Sequence, residues 1–182
     1  TGTEFLDLIS PQYISDLVSW GAIGARTAES QVHRELTSGL SCPMGIKNST
    51  NGDLKVAIDA IKSAKYQHVF LGTTKQGKVA IFKTSGNDDT HIILRGGKKP
   101  NYEPSDIDEC ILQLESEEIN KNLMVDFSHG NSMKNHENQE IVCNSISRQI
   151  KNGNKSEGNK ILNNLISSNS SVKSIAQDII QN

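Results

Sequence analysis

Four apolar runs in this chain each stop at a charged or metal-capable side chain with small or polar residues beyond it. They are Ala22-Ile-Gly-Ala-Arg26, Pro43-Met-Gly-Ile-Lys47, His91-Ile-Ile-Leu-Arg95 and Leu123-Met-Val-Asp-Phe-Ser-His129. Runs of this length between polar segments read as buried strands. Laid side by side in one sheet, their C-terminal ends converge, and two arginines, a lysine and a histidine then face one pocket. A pocket lined that way suits a doubly anionic ligand beside a metal.

The rest of the chain restricts what that pocket can serve. With 182 residues, 35% hydrophobic and 22% charged, there is enough apolar material for the core of one domain. The net charge of -2 supplies no general basic field of the kind nucleic-acid binding needs, so any cationic site must be local. No apolar stretch approaches the ~20 residues of a membrane span and no signal-peptide pattern is present, so a cytoplasmic setting without nucleic-acid or membrane partners is expected. Cys42, Cys110 and Cys143 are odd in number, far apart and outside any C-x-x-C pattern, and read as core thiols. The chain opens at Thr1 rather than at a methionine, which is read as the interior of a longer protein.

Strand-like and helix-like stretches alternate, which points to an α/β fold with a parallel sheet. Ser10-Pro11 is read as an N-cap with proline at the first helical position, opening a helix over about 11–20. A second helix is expected around Ser30–Ser38, ending at Gly39. Asp53 is expected to cap a third, with Val56, Ala57, Ala60, Ile61 and Ala64 on one side. His68-Val-Phe-Leu-Gly72 then reads as another buried parallel strand. The runs Lys78–Lys83 and His91–Leu94 flank a Ser-Gly-Asn-Asp-Asp turn and read as an inserted hairpin. Ser105 with Asp108 forms a capping-box pattern for a helix whose face is Ile107, Cys110, Ile111 and Leu114. After the run that ends at His129, a last helix carries Ile141, Val142, Ile146 and Ile150. Beyond Lys151 the composition shifts to Asn, Ser and Lys, and the fold signal fades. The chain is accordingly divided into a domain over 1–153 and a divergent, helical or disordered tail over 154–182.

Arginine presents a planar fork that binds carboxylate or phosphate bidentately, and lysine supplies a compact point charge. Arg26, Lys47 and Arg95 together suit a small phospho-carboxylate; read singly, each is equally a surface charge. A charge-assisted hydrogen bond is worth roughly 1.5–3 kcal/mol net, so three such groups hold a small anion without bulk positive charge. His129, in Asp-Phe-Ser-His-Gly-Asn, is a candidate metal ligand or general base, or else a satisfied structural histidine. Glu4, at the end of the first strand, either orients water or a proton donor or serves as a helix-cap partner.

The same residues carry a resemblance. Gly2-Thr-Glu-Phe-Leu-Asp7, Pro11-Gln-Tyr13, Ser19-Trp-Gly-Ala-Ile-Gly-Ala-Arg-Thr27, Glu29-Ser-Gln-Val-His-Arg-Glu35, Ser38-Gly-Leu-Ser41, Gly45-Ile-Lys-Asn48, Ile93-Leu-Arg-Gly-Gly-Lys98, Pro100-Asn-Tyr102 and Asp126-Phe-Ser-His-Gly-Asn-Ser132 run collinearly over about residues 1–153. Together they resemble the feedback-regulated 3-deoxy-D-arabino-heptulosonate 7-phosphate (DAHP) synthases.

That resemblance implies a TIM (β/α)8 barrel with a hairpin insertion on its rim, here without its first strands and its eighth. It implies condensation of phosphoenolpyruvate with erythrose 4-phosphate, the first step toward chorismate and the aromatic amino acids. It assigns Arg26, Lys47 and Arg95 to phosphoenolpyruvate, His129 to a divalent metal ion, and Glu4, Lys47 and His129 to catalysis. It further implies an aromatic amino-acid effector and a homo-oligomer when the protein is complete. The family's metal-binding cysteine, glutamate and aspartate have no counterparts here, so the chain alone is expected to be inactive. A different outcome of the same resemblance is a catalytically dead remnant that acts as a binding or regulatory module.

Overall fold

A computed structural model describes residues 1–151. The tail assigned to 154–182 lies outside the described residues. The described chain falls into two compact units, Thr1–Ile93 and a second beginning at Leu94.

In the first unit the strands β1 (Gly2–Glu4), β2 (Trp20–Ile23), β3 (Met44–Lys47) and β6 (Thr90–Leu94) are all parallel. The register pairs Glu4 with Ala22, Ala22 with Gly45 and Gly45 with His91. Side chains alternate across a strand, so Gly2, Glu4, Trp20, Ala22, Gly45, Lys47 and His91 belong to one face. The other face carries Phe5, Ile23, Met44, Ile46 and Ile92, all nearly inaccessible to solvent. Helix α3 (Lys55–Ala64) buries Ala57, Ile58, Ala60, Ile61 and Ala64, the stripe its spacing predicts. Helix α2 (Gln31–Gly39) has the expected bounds and buries His33, Leu36, Thr37 and Ser38.

Several expectations are corrected. Helix α1 spans only Pro11–Ile14 and tightens into a 3-10 turn over Ser15–Leu17, because Val18 is already extended toward β2. Ser10 does not cap it; Asp7 accepts hydrogen bonds from the amides of Ile9 and Ser10, each at 2.7 Å. β2 ends at Ile23, so Arg26 lies in the turn beyond it rather than at the strand's end.

The larger correction is the hairpin. It is formed by β4 (Val69–Thr73) and β5 (Val79–Lys83), antiparallel, while the His91 run joins the parallel sheet beside β3. Four of the five residues in Val69–Thr73 are apolar or glycine, yet their burial alternates: Val69 and Leu71 are exposed, and Phe70 stacks on Phe82 with ring centroids 6.0 Å apart. Every residue of β6, by contrast, is buried.

The second unit contains α4 (Pro104–Ser116), β7 (Leu123–Val125) and α5 (Asn138–Lys151). Just after β7, the Asp126 amide donates to the carbonyl of Leu94, the first residue of this unit, at 2.8 Å. The capping box of α4 is Glu103 with Asp106 rather than Ser105 with Asp108, because Pro104 takes the first helical position. Cys110 and Leu114 are buried on the expected face. In α5 only Val142 is buried and Ile141 is exposed, so its apolar face is narrower than the sequence suggested. Of the three thiols only Cys110 is a core residue; Cys42 and Cys143 are half-buried. Among the described residues no helix is long and apolar enough to cross a membrane.

Candidate active site

The C-terminal ends of parallel strands are where an α/β fold exposes loop side chains around backbone groups that no longer pair in the sheet. In the first unit Glu4 closes β1 and Lys47 closes β3, on the same face of the sheet. They meet across the end of β2, with Lys47 Nζ 2.9 Å from Glu4 Oε2. Lys47 keeps only 13% of its side chain exposed and Glu4 35%. The pair is therefore a partly desolvated ion pair, stronger than a surface one. The Glu4 carboxylate is engaged by Lys47, while Asp7 takes the amides of Ile9 and Ser10 ahead of α1. Arg26 is exposed in the turn after β2, whose Thr27 and Ala28 amides close back on the Gly24 carbonyl at 3.1 and 3.0 Å.

In the second unit Arg95 follows β6 directly and is only 9% exposed. Its carbonyl accepts from the amides of Gly130 and Asn131, at 2.9 and 3.3 Å. Gly96 has φ +72°, a conformation that favours glycine, and a Cβ there would also sit 2.5 Å from the Asn131 nitrogen. This close approach is what ties the loop after β6 to the loop after β7.

His129 does not end a strand: β7 stops at Val125, and His129 lies four residues on, with φ +55°. Left-handed backbone at a non-glycine residue costs roughly 1–2 kcal/mol and is tolerated where the surroundings impose it. Here Asp126 does so. Its carboxylate accepts from the Ser128 amide at 2.8 Å and the Ser128 hydroxyl at 2.7 Å, and it lies 2.8 Å from His129 Nδ1. A carboxylate only accepts, so Nδ1 carries the proton in this pair, and in the neutral ring Nε2 is the nitrogen with a lone pair. Metal-ligating histidines in general are oriented by a carboxylate or carbonyl in this way.

Among the described residues, however, no group of three His, Cys, Asp or Glu side chains could hold a metal ion. The described residues do not complete a coordination set around His129.

Sequence reasoning named Glu4, Arg26, Lys47, Arg95 and His129 and missed Asp126. The Asp126-to-His129 spacing of three was a visible signal, since it suits a turn in which an acid folds back on a histidine. At the opposite end of the first unit's strands, Trp20 Nε1 donates to His91 Nε2 at 3.2 Å. Burial pushes the His91 imidazole down to about 4, so it is neutral at ordinary pH. That pair is placed for stability rather than chemistry.

Comparison with known proteins agrees with the motifs. The tryptophan-sensitive phospho-2-dehydro-3-deoxyheptonate aldolase of Escherichia coli K12 is 54% identical over 153 residues, covering 84% of this chain and 44% of that protein. The phenylalanine-sensitive aldolase of the same organism is 54% identical over 172 residues, 94% of this chain and 49% of that one. A solved structure of the aldolase from Francisella tularensis SCHU S4 superposes with a TM-score of 0.80 at 58% identity, over 82% of this chain and 44% of that one. The chain thus spans less than half the length of these relatives. A sequence model described as the DAHP synthetase I family matches residues 1–166, and the chain belongs to that family.

Proposed function

We propose that this chain supplies part of the active site of a cytoplasmic DAHP synthase, which joins phosphoenolpyruvate to erythrose 4-phosphate and releases phosphate. The observation that carries the reading is that Glu4, Lys47 and Arg95 stand at or directly after the ends of parallel strands, in a chain 54% identical to proteins named for that aldolase. The complete protein is inferred to be a TIM barrel, of which residues 1–153 carry the synthase portion.

In this reading Arg26, Lys47 and Arg95 hold the carboxylate and phosphate of phosphoenolpyruvate. The arginines orient it through their planar forks, and Lys47 neutralises charge on it. Glu4, Lys47 and His129 are the catalytic residues. His129 offers Nε2 to a divalent ion, and Asp126 keeps the proton on Nδ1 so that this nitrogen stays available. When bound, such an ion supplies Lewis-acid polarisation of the aldehyde. An aromatic amino-acid effector and a homo-oligomeric assembly belong to the same proposal, the effector supported by the tryptophan- and phenylalanine-sensitive names of the relatives.

The test is a graft in which residues 1–153 replace the matching segment of the E. coli tryptophan-sensitive aldolase. Phosphate release from phosphoenolpyruvate that requires erythrose 4-phosphate is expected. A folded graft without that activity would overturn the proposal and favour a binding remnant.

A further inference from the structure

Gly24 has no backbone reason to be glycine, since it is not among the positive-φ residues. The reason is space. A Cβ built on it would lie 2.4 Å from Glu4 Oε1 and 3.3 Å from Glu4 Cδ. The main chain there cannot retreat easily, because the Gly24 carbonyl accepts from the Thr27 amide, the Ala28 amide and the Thr27 hydroxyl, at 3.1, 3.0 and 3.1 Å. Ala28, which follows this turn, is completely buried and anchors it. If a side chain appeared at position 24, the carboxylate of Glu4 would be the group to move.

That carboxylate also holds Lys47. Glu4 ends β1, Lys47 ends β3, and the turn that begins at Gly24 lies between them on the same face of the sheet. One oxygen of Glu4 rests against Gly24 and the other takes the ammonium at 2.9 Å. We propose that Gly24 is a positioning residue: its lack of a side chain lets Glu4 lie over the end of β2 and fix the Lys47 ammonium for an anionic substrate. Lysine is a flexible four-carbon stem with a point charge, and a fixed ammonium binds an anion without first losing that freedom. The inference rests on the assignment of Lys47 to the phosphoenolpyruvate site.

The test is competitive acetylation of the folded 182-residue chain with trace acetic anhydride. Lys47 is quantified against exposed Lys78 in the same digest, in the native chain, Glu4→Ala, Gly24→Ala and the double variant. Lys47 should label slowly in the native chain and roughly two- to tenfold faster in each single variant, the range expected for losing one partly exposed charged hydrogen bond. In the Glu4→Ala background, Gly24→Ala should add nothing, because it acts through the carboxylate. A purely structural role would lower the melting temperature of Gly24→Ala without this dependence on Glu4.

The inference is overturned if Gly24→Ala leaves Lys47 labelling unchanged, or raises it equally with and without Glu4. Should Gly24→Ala alone fail to fold, a folded double variant whose Lys47 labels like that of Glu4→Ala supports the inference, and a double variant that also fails overturns it. Protection of Lys47 by added phosphoenolpyruvate is read separately. Its absence, with the variant pattern intact, overturns the substrate assignment and not the positioning.

Discussion

The side-chain amide of Asn131 donates to the main-chain carbonyl of Leu94 at 3.1 Å, from a residue only 2% exposed. Its second N–H donates to the Asp126 carbonyl at 2.8 Å, and its oxygen accepts from the Asn101 amide at 2.8 Å. One buried residue thereby joins the end of β6, the end of β7 and the loop before α4, and so fixes the stems on which Arg95 and His129 stand.

Asn131→Ala removes a hydrogen bond from each of three main-chain groups around a buried position, of which the Leu94 carbonyl keeps the Asp126 amide. Losing a buried hydrogen-bond partner costs ~1–3 kcal/mol where water cannot replace it. The expected loss is about 2–4 kcal/mol in chemical denaturation, well above that of a surface asparagine. Asn131→Asp should not rescue it, because a carboxylate cannot donate to the two carbonyls. A loss below about 1 kcal/mol would show that these loops are held by other contacts.

His91 makes stability fall on the acid side. Its folded pKa is lowered by burial from 6.5 to about 4, so between those values the unfolded chain binds a proton that the folded chain refuses. The His91 contribution is complete above about pH 6.5 and is lost as pH falls toward 4. It amounts to ~3 kcal/mol at about 1.36 kcal/mol per unit. Trp20, the single tryptophan of the chain, donates to this ring and reports the transition. Unfolding curves followed by its fluorescence should steepen in their pH dependence below 6.5, and His91→Gln should remove most of that slope.

Burial pushes the Cys110 thiol up to about 12, whereas Cys143 is half-buried. The thiolate is the reactive form. Iodoacetamide at about pH 8 should therefore modify Cys143 in the folded chain and reach Cys110 only on unfolding. Mass spectrometry that finds Cys110 alkylated as fast as Cys143 would contradict the packing of α4.

On the β4–β5 hairpin, Val69, Leu71, Val79 and Ile81 form one exposed apolar face, with Leu71 paired to Ile81. Contiguous exposed apolar surface promotes association. The 182-residue chain should self-associate at raised concentration, and Leu71→Lys with Ile81→Glu should suppress this in light scattering without lowering the melting temperature.

The strand signals carried most of the fold because parallel strands buried on both faces must be apolar along their whole length. That rule found β2 and β3; it marked the His91 run as buried but left it assigned to a hairpin, and it misjudged Val69–Thr73, where Leu71 is apolar without being buried. The tell was the spacing: a hairpin between the neighbouring runs needs only the Thr74–Gly77 turn, whose Gly77 has φ +73°. Charged strand-end residues were legible because charge is conspicuous after an apolar run. Asn131, Gly24 and Asp126 were not, since a clamp, a clearance and a turn depend on which loops the fold brings together.

The 182-residue polypeptide by itself should release no phosphate from phosphoenolpyruvate in the presence of erythrose 4-phosphate. Among its described residues no three metal-capable side chains converge, and a single imidazole does not hold a divalent ion in catalytic geometry. Turnover by the purified chain, free of contaminating synthase, would refute this.

If Arg95 serves phosphoenolpyruvate while His129 serves the metal, steady-state kinetics of the E. coli graft separate the two roles. Arg95→Ala should weaken apparent phosphoenolpyruvate affinity by about 1.5–3 kcal/mol, roughly 10- to 150-fold. His129→Ala should abolish activity even at saturating phosphoenolpyruvate and reduce bound metal. Unchanged phosphoenolpyruvate affinity in Arg95→Ala, together with normal metal content in His129→Ala, would contradict both assignments.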